Sequence, residues 1–476
     1  MTPDPASVAA TRRRGVRGWF RAHPAAILAI IFVLTIPAIT PFLRGDGVGY
    51  YAWLASPIVD GDLRFANEYR EGDFVFESNV WVDGQVKPDW QGPDGHIKNQ
   101  WSVGAAVLWL PFFLLSLAVA QVTRAPGSTG YTIASKWLTA LGTAVYTFVG
   151  LLLAFQIARR NTGRIPALLG TIGVWFASSL PIYQYFLAFH PPAMAGAIGA
   201  ALLTVWNRDD GWTLGRWLAM GVIAGLLVIT HPVGIAWFAL PGISLLGLDR
   251  GVLRDRMRAG AVFAGGVVLG ALPQLIGKTI VHGSPFDSGY VSEWRFLQPD
   301  IRRVLIGAEH GLISWTPIAG LAIAGLVIMF RRGNRRLAAG LLAVFVAMLY
   351  FIASIASSEV SSYGNRFFVL FTPGFVIGAS VLAATAWEAR RRAWRSVIVG
   401  GLAILIVWNA LFMFQWAWGL VPKRGPVDWA VMVRQQFTTA PREMGHAFTL
   451  LLTDRGELMR IVQERDIENF YSGTDV

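Results

Sequence analysis

The sequence predicts an all-α polytopic membrane protein of about eleven crossings, with a long first external loop that bears juxtamembrane helices. Three observations predict it. The chain of 476 residues is 54% hydrophobic, with Trp 20 and Phe 29. Apolar runs of spanning length recur as far as residue 418, far outside the soluble average. The basic excess, Lys+Arg 41 against Asp+Glu 29, sits in short loops that abut those runs. Those loops are RRRGVR at 12–17, RRNTGR at 159–164, DRGVLRDRMR at 249–258, RRGNRR at 331–336 and EARRRAWR at 388–395. None interleaves the stacking aromatics used on nucleic acid, so nucleic-acid binding is excluded as a function class. With no cysteine, disulfides and thiolate metal sites are excluded too.

Each element then follows in order. Residues 1–24 form a basic cytoplasmic N-terminus, and the apolar segment from Ala25 to Leu43 is too long for a signal-peptide core, so it reads as a retained span. If every Arg cluster is cytoplasmic, an even number of crossings must separate each from the next. Between Arg17 and Arg159 there are three apolar runs, so one of them does not cross. The run at 102–121 holds Pro111 and Trp109 and follows Trp101, as expected of a helix in or dipping into the interface, and is assigned there. The expected spans are 25–43, 133–158, 166–184, 191–207, 216–230, 234–248, 259–280, 311–330, 337–357, 366–387 and 396–418. Residues 25–420 form the transmembrane domain, and 421–476 a small external helical tail. This sets a multi-pass protein of the cytoplasmic membrane with its C-terminus outside.

The orientation sorts the unusual residues onto one side. External loops carry Asp46, His190, His231, His282, Glu293, Arg295, Arg302, Arg303, His310, Glu359 and Arg366. Two short ones, QYFLAFHPP and THPVG, lack Lys and Arg, and each holds a His-Pro. A His-Pro at a helix end is by itself a cap or kink. Two at one membrane level favour a shared polar cavity, since ionisable groups at membrane depth are costly. In the first external loop, 44–132, YYAWLASPIV reads as a short amphipathic helix lying on the membrane with its aromatics at headgroup level. Asp83-Gly84 reads as a hairpin turn, and the acids nearby do not match a calcium loop. The tail holds amphipathic stretches, VDWAVMVRQQF and ELMRIVQERDIENF, and reads as a lid or docking surface over the cavity.

Four stretches then carry a resemblance: GDGVGYYAW after the first span, HGSPFDSGY in the fourth external loop, GLISWTP opening the next span, and SSYGNRFF before the tenth. In order and common sidedness the chain resembles the GT-C superfamily of integral-membrane glycosyltransferases, in particular bacterial relatives of the protein O-mannosyltransferases and lipid A aminoarabinose transferases. The resemblance extends loosely over the whole chain. It implies a GT-C-type bundle and transfer of a sugar from a polyprenyl-phosphate donor to a lipid, glycan or protein acceptor of the cell envelope. Transfer would occur at the outer face of the membrane, with inversion at the anomeric carbon.

The residue types suit that chemistry. A polyprenyl-phosphate sugar already has a competent leaving group, so one carboxylate suffices as base for the acceptor hydroxyl. Asp46 is the only acid in the first span's exit turn, and Gly45 and Gly47 leave room for an acceptor to approach it. By resemblance it takes the place of the family's catalytic acid. For the donor phosphate, bidentate donors are the natural choice, and the candidates are Arg366 in the Tyr-Gly-Asn-Arg turn, with Arg295 or Arg302 from the fourth loop; Tyr363 of the same turn is a further substrate-binding candidate. His190 and His231 are placed to add a hydrogen bond or a proton. Arg302 and Arg303 also suit plain contact with membrane lipid headgroups. Two departures stand out. Gly47 follows Asp46 where many relatives have a second acid, and QYFLAFHPP has no acid. An Asp with a His is a poor Mg²⁺ site, so no cofactor or metal is expected. The competing class is a transporter or flippase of a lipid-linked envelope intermediate, against which stands the absence of an inverted repeat. A non-catalytic scaffold would not require the Asp46 constellation.

Overall fold

The computed structural model describes residues 23–72, 80–123, 130–208, 211–247, 253–287, 293–355, 362–388 and 392–471. The Arg cluster at 12–17, Glu359 and parts of the basic loops at 249–258 and 388–395 lie outside the described residues. The chain is an all-α membrane protein. Helix α1 spans Pro24–Thr35 and continues as a 3₁₀ turn to Ala38. The long loop that follows holds α2 (Asp46–Ala55) and α3 (Ala66–Gly72). It then forms a hairpin of β1 (Trp81–Val82) and β2 (Gln85–Val86), and ends in α4 (Gly104–Thr123). The hairpin is antiparallel with Trp81 opposite Val86, and its turn residues Asp83 and Gly84 both take positive φ, 49° and 76°, as the Asp-Gly dipeptide predicts.

The bundle follows as α5 (Ile133–Thr162), α6 (Arg164–Phe176), α7 (Pro192–Trp206), α8 (Leu214–Thr230) and α9 (Ala239–Gly247). After α10 (Leu253–His282) the next loop carries α11 (Ile301–Ile306) and α12 (Leu312–Trp315). Four long helices come next: α13 (Pro317–Arg331), α14 (Arg335–Ala353), α15 (Thr372–Glu388) and α16 (Arg392–Ala417). The tail folds as α17 (Trp429–Phe437), α18 (Thr439–Thr453) and α19 (Arg455–Tyr471).

Lipid offers no hydrophobic drive between helices, so close backbone approach through small residues holds the bundle together. Helices α8 and α10 meet along Gly221, Gly225, Gly266 and Gly270, where an added Cβ would strike the opposing backbone. Gly325 and Gly378 do the same between α13 and α15. Helix α15 is apolar all round and forms the centre: 89% of its apolar window is buried, against 11% for α16, which stands at the periphery.

Among the described residues, six helices are long and apolar enough to cross a membrane, and six shorter apolar helices accompany them. They correspond to the eleven runs assigned as spans plus the run assigned to the interface. That last run, α4, is itself one of the long six. Its first residue, Gly104, abuts the backbone of Thr230 at the C-terminal end of α8, and its Phe113 packs on Gly130, just before α5. Trp109 donates to Thr143 of α5 at 2.7 Å.

One expectation is corrected here. Helix α2 does not lie on the membrane surface with its aromatics among headgroups. Residues Gly47 to Ala55 are all buried, Tyr51 completely, because the rest of the external loop and α4 close over them. Tyr51 donates to the Gly130 carbonyl and meets Phe113 and Phe189 edge-on. Its pattern is that of a helix buried inside protein.

Candidate active site

The chain leaves α1 through Arg44 and turns at Gly45, whose φ of 46° favours glycine. This turn makes Gly45 the N-cap of α2 and places Asp46 in its first helical position. The partial positive charge of a helix N-terminus favours an anion there. Gly47 has a different reason from the one expected. An added Cβ would lie 2.9 Å from the Phe189 Cβ, so the space it leaves is filled by the second external loop rather than kept for an acceptor. That contact delivers the neighbouring His190 to Asp46.

Arg366 arrives from the other end of the chain. It opens the 3₁₀ turn Arg366–Phe371 that leads into α15, and its Nη1 donates to Asp46 Oδ2 at 2.8 Å. The Arg366 side chain is 11% exposed and that of Asp46 25%, so the pair sits at a lip that is reachable yet poorly solvated. Burial alone would raise the Asp46 carboxyl. The charge of the Arg366 guanidinium, with the neighbouring His190 ring and Trp101 indole, outweighs it and holds the group below the ordinary aspartate range. The carboxylate is therefore ionised at neutral pH.

His190 and His231 are both buried. Burial pushes His190 down to about 4, with Asp46 opposing and Arg366 and Arg44 reinforcing the fall. Burial likewise pushes His231 to about 3, reinforced by Arg366. Both are neutral at pH 7, which removes proton donation from a resident imidazolium and leaves hydrogen bonding. Among the described residues the Nδ1 of His190 has no hydrogen-bond partner, whereas the Nδ1 of His231 accepts from the Val233 N–H at 3.4 Å.

Trp101 escaped the reading of the sequence as a site residue. It follows the loop strand that Asn99 ties down: the Asn99 amide donates to the Gly49 carbonyl at 2.9 Å, and its Oδ1 accepts from Trp101 N–H at 3.1 Å. Lys278 of α10 donates to the Asn99 carbonyl at 2.5 Å. The Trp101 ring occupies the space that a Gly49 side chain would take. The missing side chain at Gly49 lets the indole pack directly against α2, close to Asp46.

Beside Arg366 lies a narrow cleft whose polar lining is Arg303, Glu309, His310, Ser362, Asn365 and Arg366. Arg303 donates to the Ile355 carbonyl at 2.7 Å. Three of the candidate residues lie apart from this cleft. Arg302 points away, exposed on α11, and it is the adjacent Arg303 that lines the cleft. Arg295 is exposed and forks onto Glu293, both contacts at 3.1 Å. Tyr363 is fully buried, but its hydroxyl donates to Asn409 of α16 at 2.8 Å and its ring packs against Trp315 and Phe412. It braces the Arg366 turn instead of offering a group to substrate. The structure thus brings together Asp46, His190, His231 and Arg366, and adds Trp101, Arg44, Arg303 and His310. Among the described residues no three His, Asp or Glu side chains gather as a metal-binding set.

The tail spans this region from both sides. The Gly425 N–H donates to Glu309 at the cleft at 3.1 Å, and Arg455 donates to the Pro37 and Ile39 carbonyls at the exit of the first span, each at 3.2 Å.

The comparisons with solved structures concern the fold. The crystal structure of ArnT from Cupriavidus metallidurans in the apo state matches with a TM-score of 0.52 at 16% identity, over 94% of this chain and 74% of that one. The same protein bound to undecaprenyl phosphate matches with a TM-score of 0.50 at 15% identity over the same shares. At this identity the likeness is one of fold. No protein-family model and no curated protein sequence matches the chain.

Proposed function

We propose that this protein transfers a sugar from a polyprenyl-phosphate donor to a hydroxyl of a cell-envelope acceptor, with inversion, at the outer face of the cytoplasmic membrane. One observation carries the reading: a poorly solvated, ionised Asp46 paired with Arg366 beside a cleft lined by a second arginine. That the fold is also that of a protein crystallised with undecaprenyl phosphate supports it. The acceptor oxygen attacks the anomeric carbon while its proton passes to an Asp46 oxygen. The bond from that carbon to the phosphate oxygen breaks, and its electron pair leaves on the phosphate.

The ion pair gives the step an order. While Arg366 binds the carboxylate alone, Asp46 is a weak base. A donor phosphate that draws guanidinium N–H groups to itself raises the basicity of Asp46 just when the substrate is present. Arg303 and His310 line the cleft where that phosphate would rest, and the free Nδ1 of His190 offers the substrate a hydrogen bond.

The test is a membrane extract containing the protein, supplied with a panel of radiolabelled polyprenyl-phosphate sugars. The wild type forms a new glycosidic bond from one of them. Asp46→Asn loses transfer by about 10²- to 10⁴-fold, the range of a positioned general base, while remaining inserted and folded. Unchanged transfer by that variant overturns the role of Asp46. Label carried across the membrane without a new bond overturns transfer in favour of a flippase.

A further inference from the structure

The tail holds a helix whose surface divides into three stripes. At ~100° per residue, Ala440, Glu443, Ala447, Leu450 and Leu451 of α18 share one face. That face docks on α16, with Glu443 accepting from the Trp418 indole at 3.1 Å. Met444, Phe448 and Leu452 form a second stripe at i, i+4 and i+8, exposed by 38%, 60% and 71%. Arg442, His446, Thr449 and Thr453 form the third, exposed and polar. Phe437, at the corner before α18, is 77% exposed.

From this division we infer that α18 is an interfacial membrane helix, with Met444, Phe448 and Leu452 buried in the lipid of the outer leaflet. The occupant is set by continuity with α16. That helix is a 26-residue apolar element at the edge of the bundle, and in a membrane protein its exposed Val397, Ile404 and Val407 face lipid. The tail does not sit on top of α16 but runs down its side. Gln436, at the α17–α18 corner, donates to the Trp408 carbonyl at 3.2 Å. Trp408 lies about 14 Å, at ~1.5 Å per residue, short of the outer end of α16. The corner is therefore beside the outer part of a lipid-facing helix. With 15 residues α18 is too short to cross a membrane, and one packed, one apolar and one polar stripe is what a helix in the interfacial plane beside a bundle requires. This assignment is independent of the proposed activity.

The chain has no cysteine, so single cysteines can be labelled cleanly. Nitroxide labels at Phe448→Cys, Leu452→Cys and His446→Cys would be compared in phosphatidylcholine vesicles with Val407→Cys on α16 and Asp94→Cys in the exposed first loop. Power saturation with oxygen and with a water-soluble nickel chelate reads the environment of each. Labels at 448 and 452 are expected to follow 407 in favouring oxygen, with 446 closer to 94. Nickel-dominated relaxation at both 448 and 452 overturns the inference, and so does spin–spin broadening there, which would make the occupant a second copy. Two apolar positions keep the test decisive should one variant fail to fold.

Discussion

Asp46 and Arg366 are separated by 320 residues and meet at 2.8 Å, with His190 and His231 near the same pair. That the four share one region was legible in the sequence, because charge parity put all four in loops on one side. Choosing between Arg302 and Arg303 was not. The six-residue helix that carries them is too short to show a periodic pattern, and its phase is set by the Asp300 side chain capping the Arg303 N–H at 2.9 Å. Tyr363 was misread for a related reason: nothing local marks that its hydroxyl has a partner on α16. The buried histidines carry a prediction of their own. A histidine near 4 in the fold and near 6.5 when unfolded binds fewer protons in the folded state between those values, so stability falls as pH falls through that window. Each such group costs about 1.4 kcal/mol per pH unit there. Thermal unfolding in nanodiscs should therefore drop between pH 6.5 and pH 4, and His190→Gln should flatten the decline. An identical pH slope for wild type and variant would show that His190 titrates freely.

At the scale of elements, the site depends on one helix being held from three directions. Helix α2 receives Phe189 over Gly47, Trp101 over Gly49, and the Tyr51 hydroxyl fixes its far side to Gly130. The sequence showed the glycines and the aromatics but not their use, since partners 50 to 140 residues away decide it. Hence a helix that reads as interfacial by composition is in fact a core element. By contrast Asp83-Gly84 was readable, because a two-residue hairpin turn is decided by its own backbone. Close packing at Gly47 makes a second prediction. In Gly47→Ala the new methyl meets the Phe189 Cβ at 2.9 Å, tighter than carbon atoms accept, so the loop bearing His190 must move by a fraction of an ångström. Transfer should fall by about 10- to 100-fold, as expected for a small misplacement of reacting groups. Stability should fall by only about 1–3 kcal/mol, the usual cost of overpacking. A variant with full kcat would mean that the second loop does not position the chemistry.

The architecture of the whole molecule turns on α4. By length and apolarity it is fit to cross a membrane, yet a crossing there would carry RRNTGR and every later Arg cluster to the outside, against the positive-inside bias. Its contacts point the same way as the charges. Gly104 rests on Thr230, one residue before the site histidine His231, and Phe113 meets Gly130 and Tyr51, so its first half lies among residues of the site. A spanning α4 would also reverse every later loop and leave Arg366 on the opposite side of the membrane from Asp46, although the two are bonded. The decisive position is 125, beyond the C-terminal end of α4 and outside the described residues. In Ala125→Cys, a membrane-impermeant maleimide added to intact cells should label the protein without permeabilisation. Labelling that appears only after permeabilisation would make α4 a span. The number of crossings before Arg159 would then rise to three, and the Asp46–Arg366 pair would demand a compensating crossing elsewhere between residues 133 and 365.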